Sequence, residues 1–282
     1  MPDILTNFLN VMQGKFGLYI YISSDSVYEV CQKKDHNESS RETDSIRPVD
    51  LEESKKLNEA DSYGHNKFAC EEILMKFHSK HNFNFIALRL PDVIGPRDNT
   101  NRFWYYFIWT LIHQEIGFPL MIPTWLASQQ LNFVYSLDVA GIITNTLLKP
   151  VPEFLNQVFN LACSESLTLQ EFIILIGNSL NIDPVSFIEG GSEYYFPSVT
   201  RGPIDCTKAI QVLKWEPTPI HVAVNDSVTF YRDSINSPQL AVLIKTIIAD
   251  LELSLIPKEK IKKFRAELHK HTQHELMPKD EF

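Results

Sequence analysis

Tyr63 and Lys67 stand four residues apart in Ser-Tyr-Gly-His-Asn-Lys, residues 62 to 67. On a helix that spacing puts both side chains on one face. An ammonium beside a phenol favours the phenolate and lowers the tyrosine from its ordinary value of about 10. A phenolate near neutral pH takes or gives the proton of a substrate hydroxyl or carbonyl. Ser24, in Tyr-Ile-Ser-Ser-Asp-Ser-Val-Tyr (21 to 28), has a hydroxyl that can bond the same oxygen. Alone, Tyr-x-x-x-Lys is a common helical pattern of a half-buried tyrosine and a solvated lysine.

The surrounding pattern supplies elements to position these groups. Phe16 to Ser23 reads as a buried strand that delivers Ser24 at its end. Residues 62 to 80 read as an amphipathic helix, with Phe68, Ile73, Leu74 and Phe77 near one face. A second apolar strand spans Phe83 to Leu90, completing a βαβ crossover. Before these, residues 1 to 13 read as a helix. The polar stretch 29 to 61 reads as a surface loop with freedom to move. Downstream come an aromatic helix at 101 to 115, strand 131 to 136, helix 138 to 149, strand 157 to 163 and helix 168 to 180. Helical patterns fill 222 to 282. The alternation predicts an α/β fold with a doubly wound parallel sheet.

Further motifs follow in order: Leu-Arg-Leu-Pro-Asp-Val-Ile-Gly-Pro-Arg (88 to 97), Asn-Phe-Val-Tyr-Ser-Leu-Asp-Val-Ala (132 to 140), Val-Phe-Asn-Leu-Ala (158 to 162), and Asp-Cys-Thr-Lys-Ala with Leu-Lys-Trp-Glu-Pro within 205 to 217. With the Ser24 stretch and Tyr63-x-x-x-Lys67, this series resembles the extended short-chain dehydrogenases of the NAD-dependent epimerase/dehydratase family, over roughly residues 1 to 235. The resemblance implies a partial Rossmann-like catalytic core over 1–163 with substrate-lobe elements interleaved. It implies a mainly substrate-binding lobe over 164–235 and a helical C-terminal extension over 236–282. It implies NAD or NADP as cofactor, and Tyr63 as acid/base. Lys67 would lower the Tyr63 pKa and hold the nicotinamide ribose, Ser24 would bind the reacting oxygen, and Pro91 would border the cofactor. Asp25, Asp92 and Arg201 fall at substrate-side positions.

The sequence departs from the family in two ways. No G-x-G-x-x-G or G-x-x-G-x-x-G follows a strand, and Gly14 and Gly17 precede one. The pyrophosphate cradle at a helix N-terminus is therefore absent from the motif series, and the Ser24 strand is expected to border an open edge. Three explanations stand: a truncated gene model or splice form, a stable non-catalytic scaffold or binding protein, or a chain completed by another. On the substrate side, Asp92 replaces a customary Asn and Leu131 a customary Arg, which disfavours a nucleotide diphosphate. Arg89, Arg97 and Arg201 remain, with surface salt bridging as the simpler role. Ser26 stands where the dehydratase branch has Glu, which disfavours paired-carboxylate elimination.

A formal charge of −9 excludes general affinity for nucleic acid phosphates. The four cysteines, Cys31, Cys70, Cys163 and Cys206, have no metal spacing and read as reduced thiols. No apolar run reaches membrane-spanning length and no signal peptide is evident, so the expected setting is cytoplasmic. The expected partners are a small-molecule substrate and a second copy in a homodimer, with neither nucleic acid nor membrane. His269, His271 and His274 read as a polar tail rather than a metal chelate, and the terminal Lys-Asp-Glu-Phe as a coincidental charged end.

Overall fold

The computed structural model describes residues 1–81, 83–148 and 151–272. His274 and the Lys-Asp-Glu-Phe end lie outside the described residues. In chain order the first elements are α1 (Pro2–Met12), β1 (Tyr19–Ser24), α2 (Leu51–Ala60), α3 (Ser62–His81), β2 (Phe85–Leu90), β3 (Asp92–Ile94), α4 (Arg102–Ile116), β4 (Leu120–Ile122) and β5 (Phe133–Tyr135). There follow α5 (Ser136–Leu148), β6 (Gln157–Asn160), α6 (Leu169–Leu180), β7 (Phe187–Glu189), α7 (Thr207–Leu213), α8 (Ile220–Ser234), α9 (Ala241–Ser254) and α10 (Lys258–His271).

The chain forms two compact units and passes repeatedly between them. Among the described residues, one unit holds those within 1–93, 131–166 and 198–219; the other holds 94–130, 167–197 and 220–272. The first is built on a parallel sheet of order β1-β2-β6. Strand alternation gives this sheet two apolar faces. Tyr21, Phe85, Ala87 and Val158 point to α1 and α3, meeting Leu5, Leu9, Cys70, Leu74 and Phe77. Ile86, Leu88, Leu90 and Phe159 point the other way, onto Val139 of α5 and Ala209 and Leu213 of α7. Helices on both faces of a parallel sheet are the doubly wound arrangement that the apolar runs predict. Each large apolar side chain buried this way contributes about 1.5–3 kcal/mol.

In the second unit, α4 is the central buried helix. Its Phe103, Phe107, Ile108 and Ile112 are covered, and it packs against α6, α8 and α10. A short parallel pair, β4 with β7, completes this unit.

The stretch 29–61 departs from the expectation of a loose surface loop. It contains α2, capped by Asp50, whose carboxylate accepts the Glu52 and Glu53 N–H groups. Its middle is stitched to the sheet. Asn160 donates its backbone N–H to Glu42 and its side-chain amide to the Ser40 carbonyl, at 2.8 and 3.0 Å. The Asp205 N–H donates to the Ser40 carbonyl as well.

Candidate active site

β1 ends at Ser24, and the chain turns at once into a 3-10 helix, Asp25–Val30. Ser24 caps that helix: its Oγ accepts the Ser26 N–H at 3.2 Å and lies 3.3 Å from an Asp25 oxygen. The start of α3 is pressed against this turn. A Cβ on Gly64 would sit 2.2 Å from the Ser26 carbonyl oxygen, so only glycine admits the approach. The Asp61 carboxylate caps α3 by accepting the Gly64 N–H at 2.8 Å. Tyr63, one residue before Gly64, is thereby placed beside the turn that follows Ser24, and it is 50% exposed.

Lys67 lies one turn further along. Its ammonium donates to the Ile22 carbonyl at 2.8 Å and sits 5.2 Å from the centre of the Tyr21 ring and 5.5 Å from that of Tyr63. Burial lowers the Lys67 pKa, with Cys70 and Glu71 opposing the shift. Ser24, Tyr63 and Lys67 thus gather at the carboxyl end of the β1 strand, where open α/β sheets bind ligands. Strand alternation sends Ser23, rather than Ser24, to the α3 face, and Ser23 donates to Glu71 at 2.5 Å.

The remaining sequence candidates occupy the same end of the sheet. Pro91 is buried just after β2. Asp25 and Asp92 are both buried. Burial, and then the nearby Asp92 carboxylate, push Asp25 well above the ordinary carboxylate range. Asp92 accepts the Ser198 N–H at 2.9 Å. Glu29 accepts the N–H groups of Thr200 and Arg201, each at 2.8 Å, and the Arg201 guanidinium donates to the Cys31 carbonyl at 3.2 Å. Asp92, Arg201 and Glu29 therefore tie segment 198–201 to the sheet. Leu131 is buried and brings no charge to the site.

Arg89 differs from its expected surface role. It is 1% exposed and forms an ion pair with Glu71, which is 0% exposed. Ser23, Arg89 and Asn160 are register partners in one row across β1, β2 and β6, on the α3 side. Arg89 bonds Glu71, Tyr28 and Ser45, and Tyr28 donates to Asn160 at 2.8 Å. Sequence reasoning passed over Glu71 and Gly64. Glu71 was findable as an acid four residues beyond Lys67 on the inward stripe of α3. An arginine within the apolar run Phe-Ile-Ala-Leu-Arg-Leu marks its partner.

Tyr63 and Lys67 would be the residues to meet the nicotinamide ribose of a dinucleotide, and the described residues do not fit its pyrophosphate. The turns after β1 and β2 carry Asp25 and Asp92 where a phosphate-binding turn carries glycines. Among the described residues no cluster of His, Cys, Asp and Glu is suited to a metal ion.

The family model described as "NAD dependent epimerase/dehydratase family" matches residues 4–162. No curated protein matches the chain. Among solved structures, UDP-glucuronic acid 4-epimerase from Bacillus cereus, in complex with NAD, is 19% identical with a TM-score of 0.60, over 82% of this chain and 66% of that one. UDP-glucose 4-epimerase from Thermotoga maritima, with UDP-glucose, is 20% identical with a TM-score of 0.60, over 83% and 68%. dTDP-glucose 4,6-dehydratase from Bacillus anthracis, in complex with NAD, is 15% identical with a TM-score of 0.58, over 81% and 66%. The chain spans about two thirds of the length of these structures. At such identities the likeness establishes a Rossmann-like fold. With more than half of its residues matched by the family model, and with the serine and Tyr-x-x-x-Lys set at one end of its parallel sheet, the chain belongs to the NAD-dependent epimerase/dehydratase family.

Proposed function

We propose that this chain carries the proton-transfer half of an NAD(P)-dependent epimerase or oxidoreductase acting on a hydroxyl or carbonyl of a sugar nucleotide or related substrate. The observation that carries this reading is the docking of the first turns of α3, with Tyr63 and Lys67, on the turn that follows Ser24. In this reading the Tyr63 phenol moves the substrate hydroxyl proton, Lys67 stabilises the phenolate, and Ser24 bonds the substrate oxygen. A bound dinucleotide supplies the hydride acceptor and donor. Burial raises the Asp25 pKa well above the ordinary carboxylate range, and Ser26 offers no second carboxylate, so paired-carboxylate water elimination is disfavoured.

The described residues offer no pyrophosphate cradle, so in this reading the chain alone binds dinucleotide weakly and depends on a glycine-loop segment for turnover. The four cysteines are unpaired, in keeping with a reducing compartment such as the cytoplasm. None of the described helices is long and apolar enough to cross a membrane. Assembly as a homodimer is part of the proposal.

A second reading, a non-catalytic scaffold or binding protein, is favoured by the engagement of Asp92 and Arg201 in holding segment 198–201. Supplying a family glycine-loop segment and assaying a panel of sugar nucleotides and alcohols separates the two. Turnover that vanishes in Tyr63→Phe supports the enzyme. Dinucleotide binding without Tyr63-dependent turnover supports the scaffold.

A further inference from the structure

Lys67 and Glu71 occupy successive turns of α3 and grip neighbouring groups of β1. Lys67 donates to the Ile22 carbonyl at 2.8 Å, and the Ser23 hydroxyl, on the next residue, donates to Glu71 Oε1 at 2.5 Å. Glu71 also faces the second strand: Arg89 donates from Nε to Oε1 at 3.1 Å and from Nη2 to Oε2 at 2.6 Å. Arg89 is the register partner of Ser23, so one carboxylate ties α3 to β1 and β2 on the same row. Both charges are buried. Desolvation consumes most of the attraction in such a pair, and an apolar pair of equal volume often stabilises as well. What the carboxylate adds is direction, because its acceptor sites fix which donors meet it and where.

We propose that Glu71 is a positioning residue. Through Ser23 it fixes the peptide whose carbonyl holds the Lys67 ammonium beside Tyr63. This rests on the proposed proton-transfer role of Tyr63 and Lys67. The titratable groups about Lys67 are Tyr21 on β1 and Tyr63, Cys70 and Glu71 on its own helix. When Ser23 no longer anchors the strand end, the Ile22 carbonyl loses its fixed aim and the lysine moves toward water.

The test uses the full chain and reads lysine acetylation by acetic anhydride across a pH series, with mass spectrometry reporting each site. Lys208 serves as internal control, because it too is partly buried and donates to a strand carbonyl, that of Val158, at 2.8 Å. Ser23→Ala removes the hydroxyl without removing a charge. The Lys67 midpoint is expected to rise toward that of exposed lysines in Ser23→Ala, which leaves the Glu71 charge in place, to return in Ser23→Thr, and to leave Lys208 unmoved. A folded Ser23→Ala variant whose Lys67 midpoint is unchanged, or moves only in step with Lys208, overturns the proposal. The labelling needs no turnover, so activity surviving in Tyr63→Phe would remove the proton-transfer reading while leaving this result standing as geometry.

Discussion

Asp25 and Glu71 are both buried acids at the carboxyl end of β1, and their surroundings give them opposite chemistry. Glu71 meets the Arg89 guanidinium; Asp25 meets the carboxylate of Asp92. The folded-state pKa of Asp25 lies above its ordinary value of 3.8. Between those two values the native state holds a proton that the unfolded chain has lost, so its contribution to stability falls as pH rises through that window. Asp25→Asn is therefore expected to flatten the decline in urea stability from mildly acidic to neutral pH and to raise stability at the neutral end. An unchanged pH profile would mean that Asp25 is not protonated in the fold. For the ion pair, Arg89→Met alone leaves a buried carboxylate unpaired and is expected to cost about 3–5 kcal/mol, with most of it recovered in Arg89→Met/Glu71→Leu. Denaturant titration of the three variants checks this. Tyr63, Lys67 and Ser24 were legible because their types and spacing declare their chemistry. The depth of Arg89 shows only in its setting within an apolar run, and its partner Glu71, 18 positions away in sequence, is fixed by the fold.

At the scale of elements, periodicity carried most of the information. The expected helix 62 to 80 and strand 83 to 90 are observed as Ser62–His81 and Phe85–Leu90, because both bury one continuous apolar stripe or run. α2 escaped notice because Leu-Glu-Glu-Ser-Lys-Lys-Leu-Asn-Glu-Ala buries no residue and so shows no apolar periodicity. The stitching of 40–46 to the sheet escaped for a related reason: it is made by polar groups, Ser40, Glu42 and Ser45, whose partners lie far along the chain. The junction of α3 with the 3-10 turn turns on Gly64. Glycine to alanine inside a helix ordinarily stabilises by about 1 kcal/mol. Here the new Cβ would meet the Ser26 carbonyl at 2.2 Å, so Gly64→Ala is expected to destabilise by about 1–3 kcal/mol. A thermal melt that rises instead would mean that α3 does not seat as closely on the turn as described.

Across the whole molecule, two units share one chain that passes between them several times, with the three-stranded parallel sheet in one and the α4 helical packing in the other. The α/β class and its parallel sheet were readable from alternating apolar runs; the interleaving was less so, because segments adjacent in sequence part company at positions that carry no break in composition. The proposal that residues 1–282 hold catalytic groups without a phosphate cradle predicts little or no heat on titrating the chain with NAD(H) or NADP(H). Micromolar binding would show that another segment takes the pyrophosphate. The most direct measurement of the central claim is nicotinamide-dependent turnover of a sugar-nucleotide and alcohol panel by the chain joined to a family glycine-loop segment, with wild-type and Tyr63→Phe compared side by side. Turnover by the wild-type protein that is lost in Tyr63→Phe, with dinucleotide binding retained in both, is the predicted result. Equal turnover by both proteins, or none by either despite bound dinucleotide, would contradict it.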